Sequence, residues 1–242
     1  MSRISSSPTS TEPVRWTQLY LGLGFTTLAT LILELSLTRL FSVVFYYHFA
    51  FLAISIALFG LGAGGVFSYV VAGGNLYTRL GVLGIANAIS VIASLWFIVT
   101  RPTDLGYGTL AAVYLASALP FFLAGTVVSI AISEAIERVD RAYFFDLLGA
   151  ATGCLALIPF LNTFGGPNTV IAAAVLYGVA AAIWFHTAGD PRRRAGAVAG
   201  SLLLVLLMIV NGRAHVLDVQ VAKGMTLPPE KDRKSTRLNS SH

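Results

Sequence analysis

The chain is poor in cysteine, lysine and charge of either sign. Only 11% of its 242 residues are charged, against about 25% in soluble domains, while 56% are hydrophobic. Cys154 is the single cysteine, so neither an internal disulfide nor a thiolate metal site can be built; within its apolar run it reads as a small packing residue. His48, His186, His215 and His242 are scattered without ligand spacing, and no HExxH, Walker A or nucleophile-elbow pattern occurs. Metal and nucleophilic chemistry of those kinds is therefore not expected. The lysines, Lys223, Lys231 and Lys234, all lie near the C-terminus, and the arginines sit mostly between apolar runs. A net charge of +5 and a pI near 9.6 thus do not describe a nucleic-acid-binding face, and no nucleic-acid partner is expected.

What the chain does contain is long hydrocarbon. Mean hydropathy is +0.77. Between Thr17 and Ala72 the only acid, base or imidazole groups are Glu34, Arg39 and His48. A membrane-spanning helix needs about 20 apolar residues, so this stretch alone accommodates two. Apolar runs fall at about Thr17–Leu37, Phe49–Ala72, Leu80–Thr100, Gly108–Ile132, Phe144–Leu161, Thr169–Phe185 and Ala195–Val210. The runs are continuous rather than alternating, which excludes a barrel and predicts an all-α, polytopic transmembrane helix bundle of about seven spans with the lipid bilayer as its partner. The fifth and seventh runs are short, so either could cross with little tilt, pack inside the bundle or fail to cross.

This pattern divides the chain into four segments. Residues 1–15, rich in Ser, Thr and Pro, read as a disordered tail rather than a cleavable signal. Residues 16–211 form the transmembrane domain, 212–232 the start of a soluble domain that is missing, and 233–242, RKSTRLNSSH, resemble translated sequencing adapter. Arg3, Arg15, Arg79, Arg138, Arg141 and Arg192 to Arg194 fall on one side of a seven-span topology, and Arg39 and Arg101 on the other. The N-terminus is therefore expected in the cytoplasm and the C-terminal end outside.

Charges inside a span cost roughly 2.5 to 3.5 kcal/mol each, so their positions are informative. Glu34 lies near the end of the first run and should face the bundle interior; it shares a helix face with Thr38, whereas Arg39 points about 140° away. Arg39, Tyr46, Tyr47 and His48 admit two readings, an interfacial anchor or a polar site. Asp146 sits at the mouth of the fifth run, and Arg138 or Arg141 could reach it. Alternatively, Glu134 with Arg138 and Glu137 with Arg141 form two weak i, i+4 pairs. Glu34, Arg39, Tyr47, His48 and Asp146 are together the candidate intramembrane polar site.

The glycines have a plainer reading. Gly60, Gly62 and Gly65 spell G-x-G-x-x-G, but no Asp or Glu follows until Asp104, as a dinucleotide site would need. Gly60 with Gly64, and Gly149 with Gly153, are G-x-x-x-G helix-packing pairs. Asn87 and Asn162 are expected to hydrogen-bond between helices. Pro120 and Pro159 lie inside apolar runs and free the carbonyls of Ala116 and Leu155, which neighbouring helices must satisfy.

Two blocks, LELSLTRLFSVVFYYHFAFLAISIALFGLGAGG from Leu33 and YFFDLLGAATGCLALIPFLNTFGGPN from Tyr143, resemble the membrane region of bacterial membrane-fused spermidine synthase-like proteins. LDVQVAKG from Leu217 is similar to the entry into that family's soluble domain. The resemblance implies a multi-pass protein of the bacterial inner (cytoplasmic) membrane. It also implies a following aminopropyltransferase-like or methyltransferase-type domain using an S-adenosylmethionine derivative, with no catalytic residue and no cofactor in the present chain. The competing expectation is a transporter or polar-relay protein in which the bundle itself works.

Overall fold

The computed structural model describes residues 15–44, 49–71, 75–100, 107–214, 217, 221–222 and 225–226. The fold is an all-α bundle of seven helices: α1 (Trp16–Val44), α2 (Phe49–Phe67), α3 (Leu76–Thr100), α4 (Tyr107–Glu134), α5 (Val139–Phe164), α6 (Gly166–Thr187) and α7 (Pro191–Ala214). Beyond α7, Val221–Ala222 pairs antiparallel with Met225–Thr226. Among the described residues six helices are long and apolar enough to cross a membrane, and Phe51–Phe67 of α2 is a shorter apolar helix, the pattern of a multi-pass membrane protein.

The helices are apolar on nearly every face, so what turns inward is decided by size and polarity. On α6 the buried set includes Ala172, Ala173, Ala174, Gly178, Ala180 and Ala181. Tyr177, Trp184 and Phe185 are buried with them, while many other large apolar side chains face outward, among them Phe51 at 73% exposure and Leu202 at 64%. This is the pattern of helices associating in lipid, where small residues let backbones approach and bulky ones face acyl chains.

Side-by-side contacts fix the directions. Tyr20 stacks on Phe145, and Gly153 lies against Leu28 and Leu31, so α1 and α5 run parallel. Phe59 meets Tyr114 and Phe67 meets Phe122, so α2 and α4 also run parallel. Gly22 meets Trp184 while Thr30 meets Tyr177, which makes α6 antiparallel to α1. Gly81 against Phe185 and Gly84 against Ala181 make it antiparallel to α3 as well. The core divides accordingly. One cluster, with Leu19, Leu23, Leu80, Ala131 and Trp184, fills the end where α1 starts, and a larger one fills the opposite end.

Two expectations change here. The fifth and seventh helices are not the short ones: α5 has 26 residues and α7 has 24, because each helix continues through the charged residues that bound its apolar run. Neither is interior, since both are mostly exposed, α5 lying against α1 and α7 against α6. The shortest is α2, with 19 residues, yet it lies alongside α4 and keeps the alternation of direction. The i, i+4 pairs of Glu134 with Arg138 and Glu137 with Arg141 do not form among the described residues, because a 3₁₀ turn at Ile136–Arg138 breaks the helix that such spacing needs. Arg138 instead stacks over the Trp16 ring at 4.8 Å.

The close approaches are glycine contacts. A Cβ at Gly60 would lie 2.6 Å from that of Phe121, and one at Gly64 would run into the α4 backbone at Phe122 and Thr126. Gly149 meets the backbone of Gly24 in the same way. Pro120 leaves the Ala116 carbonyl without its helical donor, and Ser94 Oγ of α3 donates to it. Thr126 Oγ1 donates within α4 to the Phe122 carbonyl at 2.8 Å and lies 3.1 Å from the Gly64 carbonyl of α2, which already accepts the Ser68 N–H.

Gly64→Leu is expected to abolish the folded, monodisperse species in detergent gel filtration, while Gly62→Leu, whose Cβ meets nothing within 4 Å, leaves it intact. Ser94→Ala is expected to destabilise the bundle by about 1 kcal/mol in a reversible unfolding assay, since it strands a buried carbonyl.

Candidate functional site: a polar seam inside the bundle

The polar site grows from the contact between Gly24 and Gly149. Because the α1 and α5 backbones touch there, Thr27, the next inward residue along α1, comes within reach of Asp146. Thr27 Oγ1 donates to Asp146 Oδ1 at 2.5 Å, nearer than the Leu23 carbonyl at 3.2 Å. Thr26 and Thr30 are buried on α1 one turn apart and donate back to the Gly22 and Thr26 carbonyls, each at 2.7 Å. Thr30 Oγ1 also lies 2.9 Å from the Tyr177 hydroxyl on α6. Its own proton is used on Thr26, so Tyr177 is the donor in that pair. On α3, Asn87 adjoins the same hydroxyl, and its buried Nδ2 makes no hydrogen bond among the described residues.

The seam therefore joins α5, α1, α6 and α3, but it is not one unbroken wire. Thr27 and Thr30 are not bonded to each other, and the hydroxyl protons of Thr26 and Thr30 end on backbone carbonyls of α1. Such wiring orients helices; it does not offer a proton a path from end to end.

Of the candidate residues read from the sequence, Asp146 is placed in this seam, without Arg138 or Arg141. Glu34 is half-buried two turns beyond Thr27 on the same face of α1, with no hydrogen bond or ion pair to its carboxylate among the described residues; only its backbone carbonyl is used, by Thr38 Oγ1 at 2.9 Å. Arg39 is exposed. Tyr47 and His48 lie outside the described residues. Glu34, Arg39 and Asp146 are thus not gathered into one site. Asn87 is fully buried at 0% exposure, whereas Asn162 is exposed, as is Cys154, because α5 turns that face outward. No group of three His, Cys, Asp or Glu that could hold a metal occurs among the described residues.

Sequence reasoning passed over Thr26, Thr30 and Tyr177. The signal was there: Thr26, Thr30, Glu34 and Thr38 repeat every four residues and draw one polar row down α1. It passed over a second polar node as well. Asn211 Nδ2 on α7 donates to Asn168 Oδ1 on α6 at 2.6 Å, and Asn211 Oδ1 accepts from the Leu217 backbone N–H, also at 2.6 Å. Leu217 itself joins the larger core cluster.

No known protein family, curated protein or solved structure matches this chain.

Thr27→Val and Tyr177→Phe are each expected to lower stability by about 0.5 to 1.7 kcal/mol, the range of interhelical hydrogen bonds in membranes, with Thr27→Ser close to neutral. Unfolding of the purified variants in mixed micelles checks this.

Proposed function

We propose that the bundle is the membrane anchor of a spermidine synthase-like protein of the bacterial inner membrane, fixing the direction in which a soluble domain leaves the last helix. The observation that carries this reading is the clamp at the end of α7. Asn211, buried at 1% exposure, bonds to both Asn168 and the backbone at Leu217, and Leu217 is itself buried. A chain held by its backbone three residues after a helix cannot swing freely, so the bundle sets the orientation of a domain attached beyond it. The resemblance supplies the identity of that domain as aminopropyltransferase-like.

The S-adenosylmethionine derivative implied by the resemblance belongs to that domain. The bundle's own glycines do not fit such a cofactor. Gly60, Gly62 and Gly65 lie inside α2, where backbone N–H groups are held in the helix ladder and form no phosphate-cradling turn. No step is therefore assigned to the bundle.

Orientation is set by arginine placement. Arg15, Arg79, Arg138, Arg141 and Arg192 to Arg194 gather at the end where α1 starts, and Arg39 and Arg213 lie toward the opposite end. The positive-inside rule directs the first end to the cytoplasm, and seven alternating helices carry the chain after α7 to the other face. Cytosolic adenosylmethionine does not reach that face, so anchoring, more than cytosolic aminopropyl transfer, is what the geometry favours.

In a bacterial host, alkaline phosphatase fused after Gly224 is expected to be active and green fluorescent protein at the same site to be dark. A fluorescent fusion with an inactive phosphatase would reverse the proposed orientation. Asn211→Leu is expected to leave helix content unchanged while making the segment after Ala214 several-fold more sensitive to protease; equal cleavage rates would remove the clamp from the proposal.

A further inference from the structure

The connection between α6 and α7 is built for a tight reversal. Gly189, at φ 72°, takes the left-handed position after α6, with its N–H on the His186 carbonyl and the Asp190 N–H on that of Phe185. Asp190 then caps α7, accepting from the Arg193 N–H at 3.1 Å and pairing with the Arg193 side chain at 3.3 Å, and Pro191 opens the helix. This turn sets His186 and Arg194 side by side, with Arg194 Nη1 3.0 Å from His186 Nδ1. Gln18 of α1 stands at the same end, its Oε1 buried without a partner among the described residues.

Below these three lies an open groove of about 590 Å³ between α1, α6 and α7. Leu21 of α1, Val179 and Ile183 of α6, and Val198, Leu202 and Val205 of α7 line it. Its length is telling. From Arg194 to Val205, and from His186 to Val175, is about 16 Å along each helix, half of the roughly 30 Å hydrocarbon thickness. The groove thus has the depth of one leaflet, an apolar body and a polar head. The head is cationic: Asp190 is engaged by Arg193, and neither Arg192 nor Arg194 has a carboxylate within 4 Å among the described residues.

We propose that this groove binds one anionic phospholipid of the arginine-rich leaflet, an acyl chain lying between α6 and α7 and its phosphate on Arg194. The Gln18 side chain lines the mouth beside it. A basic pocket between spans at the cytoplasmic surface is the setting in which anionic headgroups are held.

The test is native mass spectrometry of the full chain released from bilayers of equal phosphatidylglycerol and phosphatidylcholine. Phosphatidylglycerol is expected to be retained over phosphatidylcholine by about fivefold, with one molecule per chain resisting delipidation. Arg194→Gln should bring the ratio toward one, and Arg194→Lys should keep most of it. Val179→Phe and Leu202→Phe, which fill the groove and leave the charges alone, should remove the retained lipid. Arg194 and Leu202 are exposed, so their variants are expected to fold, which circular dichroism checks. Equal retention of the two lipids in the native chain overturns the proposal, as does a preference that survives both the Arg194→Gln and the groove-filling changes. Loss of the adduct to excess soluble glycerol phosphate also overturns it, because the headgroup alone would then explain binding.

Discussion

A buried carbonyl in this bundle has no water to turn to, and the arrangement of the helices follows from that. Ser94 on the neighbouring helix meets the Ala116 carbonyl that Pro120 leaves open. In water such groups would be solvated and the helices free to shift by a turn. In hydrocarbon each unsatisfied group costs several kcal/mol, so a handful of hydroxyls fixes the register. Glycine makes those bonds possible, because Gly24 with Gly149, and Gly60 and Gly64 against α4, bring backbones close enough for short side chains to cross.

The same constraint explains the plan of the bundle. α6 touches α1, α3 and α7, and α1 also carries α5, whereas α5 and α7 each rest mainly on one helix. The multiply contacted helices hold the small and polar residues; the peripheral ones present Phe144, Leu155, Leu202 and Leu206 outward. Where α7 leans on α6 but not on α1, a gap of leaflet depth opens, and the Gly189–Asp190 reversal places cations at its mouth. The clamp at Asn211 sits at the other end of the same helix. α7 is therefore held at both ends, by Asp190 at its start and by Asn168 near its close, and between them it meets α6 through the buried Ala197 and Ser201.

In the polar seam the Thr26 and Thr30 hydroxyls donate to α1 carbonyls, while Thr27 with Asp146 and Tyr177 with Thr30 link α1 to α5 and α6. Glu34 stands apart from it, half-buried and unpaired among the described residues, at the rim rather than in the centre. Carboxylates grouped by their scarcity in the sequence are thus separated in space, one engaged and one not.

The sequence by itself determined that the chain is an all-α membrane bundle, because continuous apolar runs admit only helices in lipid, and it located seven helices to within a few residues of most boundaries. It also pointed to Ala116 as a carbonyl needing a neighbour, since proline's missing donor is a local fact. It misjudged α5 and α7, whose helices continue through Asp140 and Arg192 to Arg194: backbone hydrogen bonding does not stop where hydropathy does. Which residues meet was decided only in three dimensions. Asp146 finds Thr27 because two glycines let α1 and α5 touch, Asn168 finds Asn211 because α7 folds back along α6, and Asn162 and Cys154 face outward because α5 lies at the edge. Apart from the threonine row of α1, these helices are apolar nearly all round, and the fit of backbone against backbone chooses which face turns in.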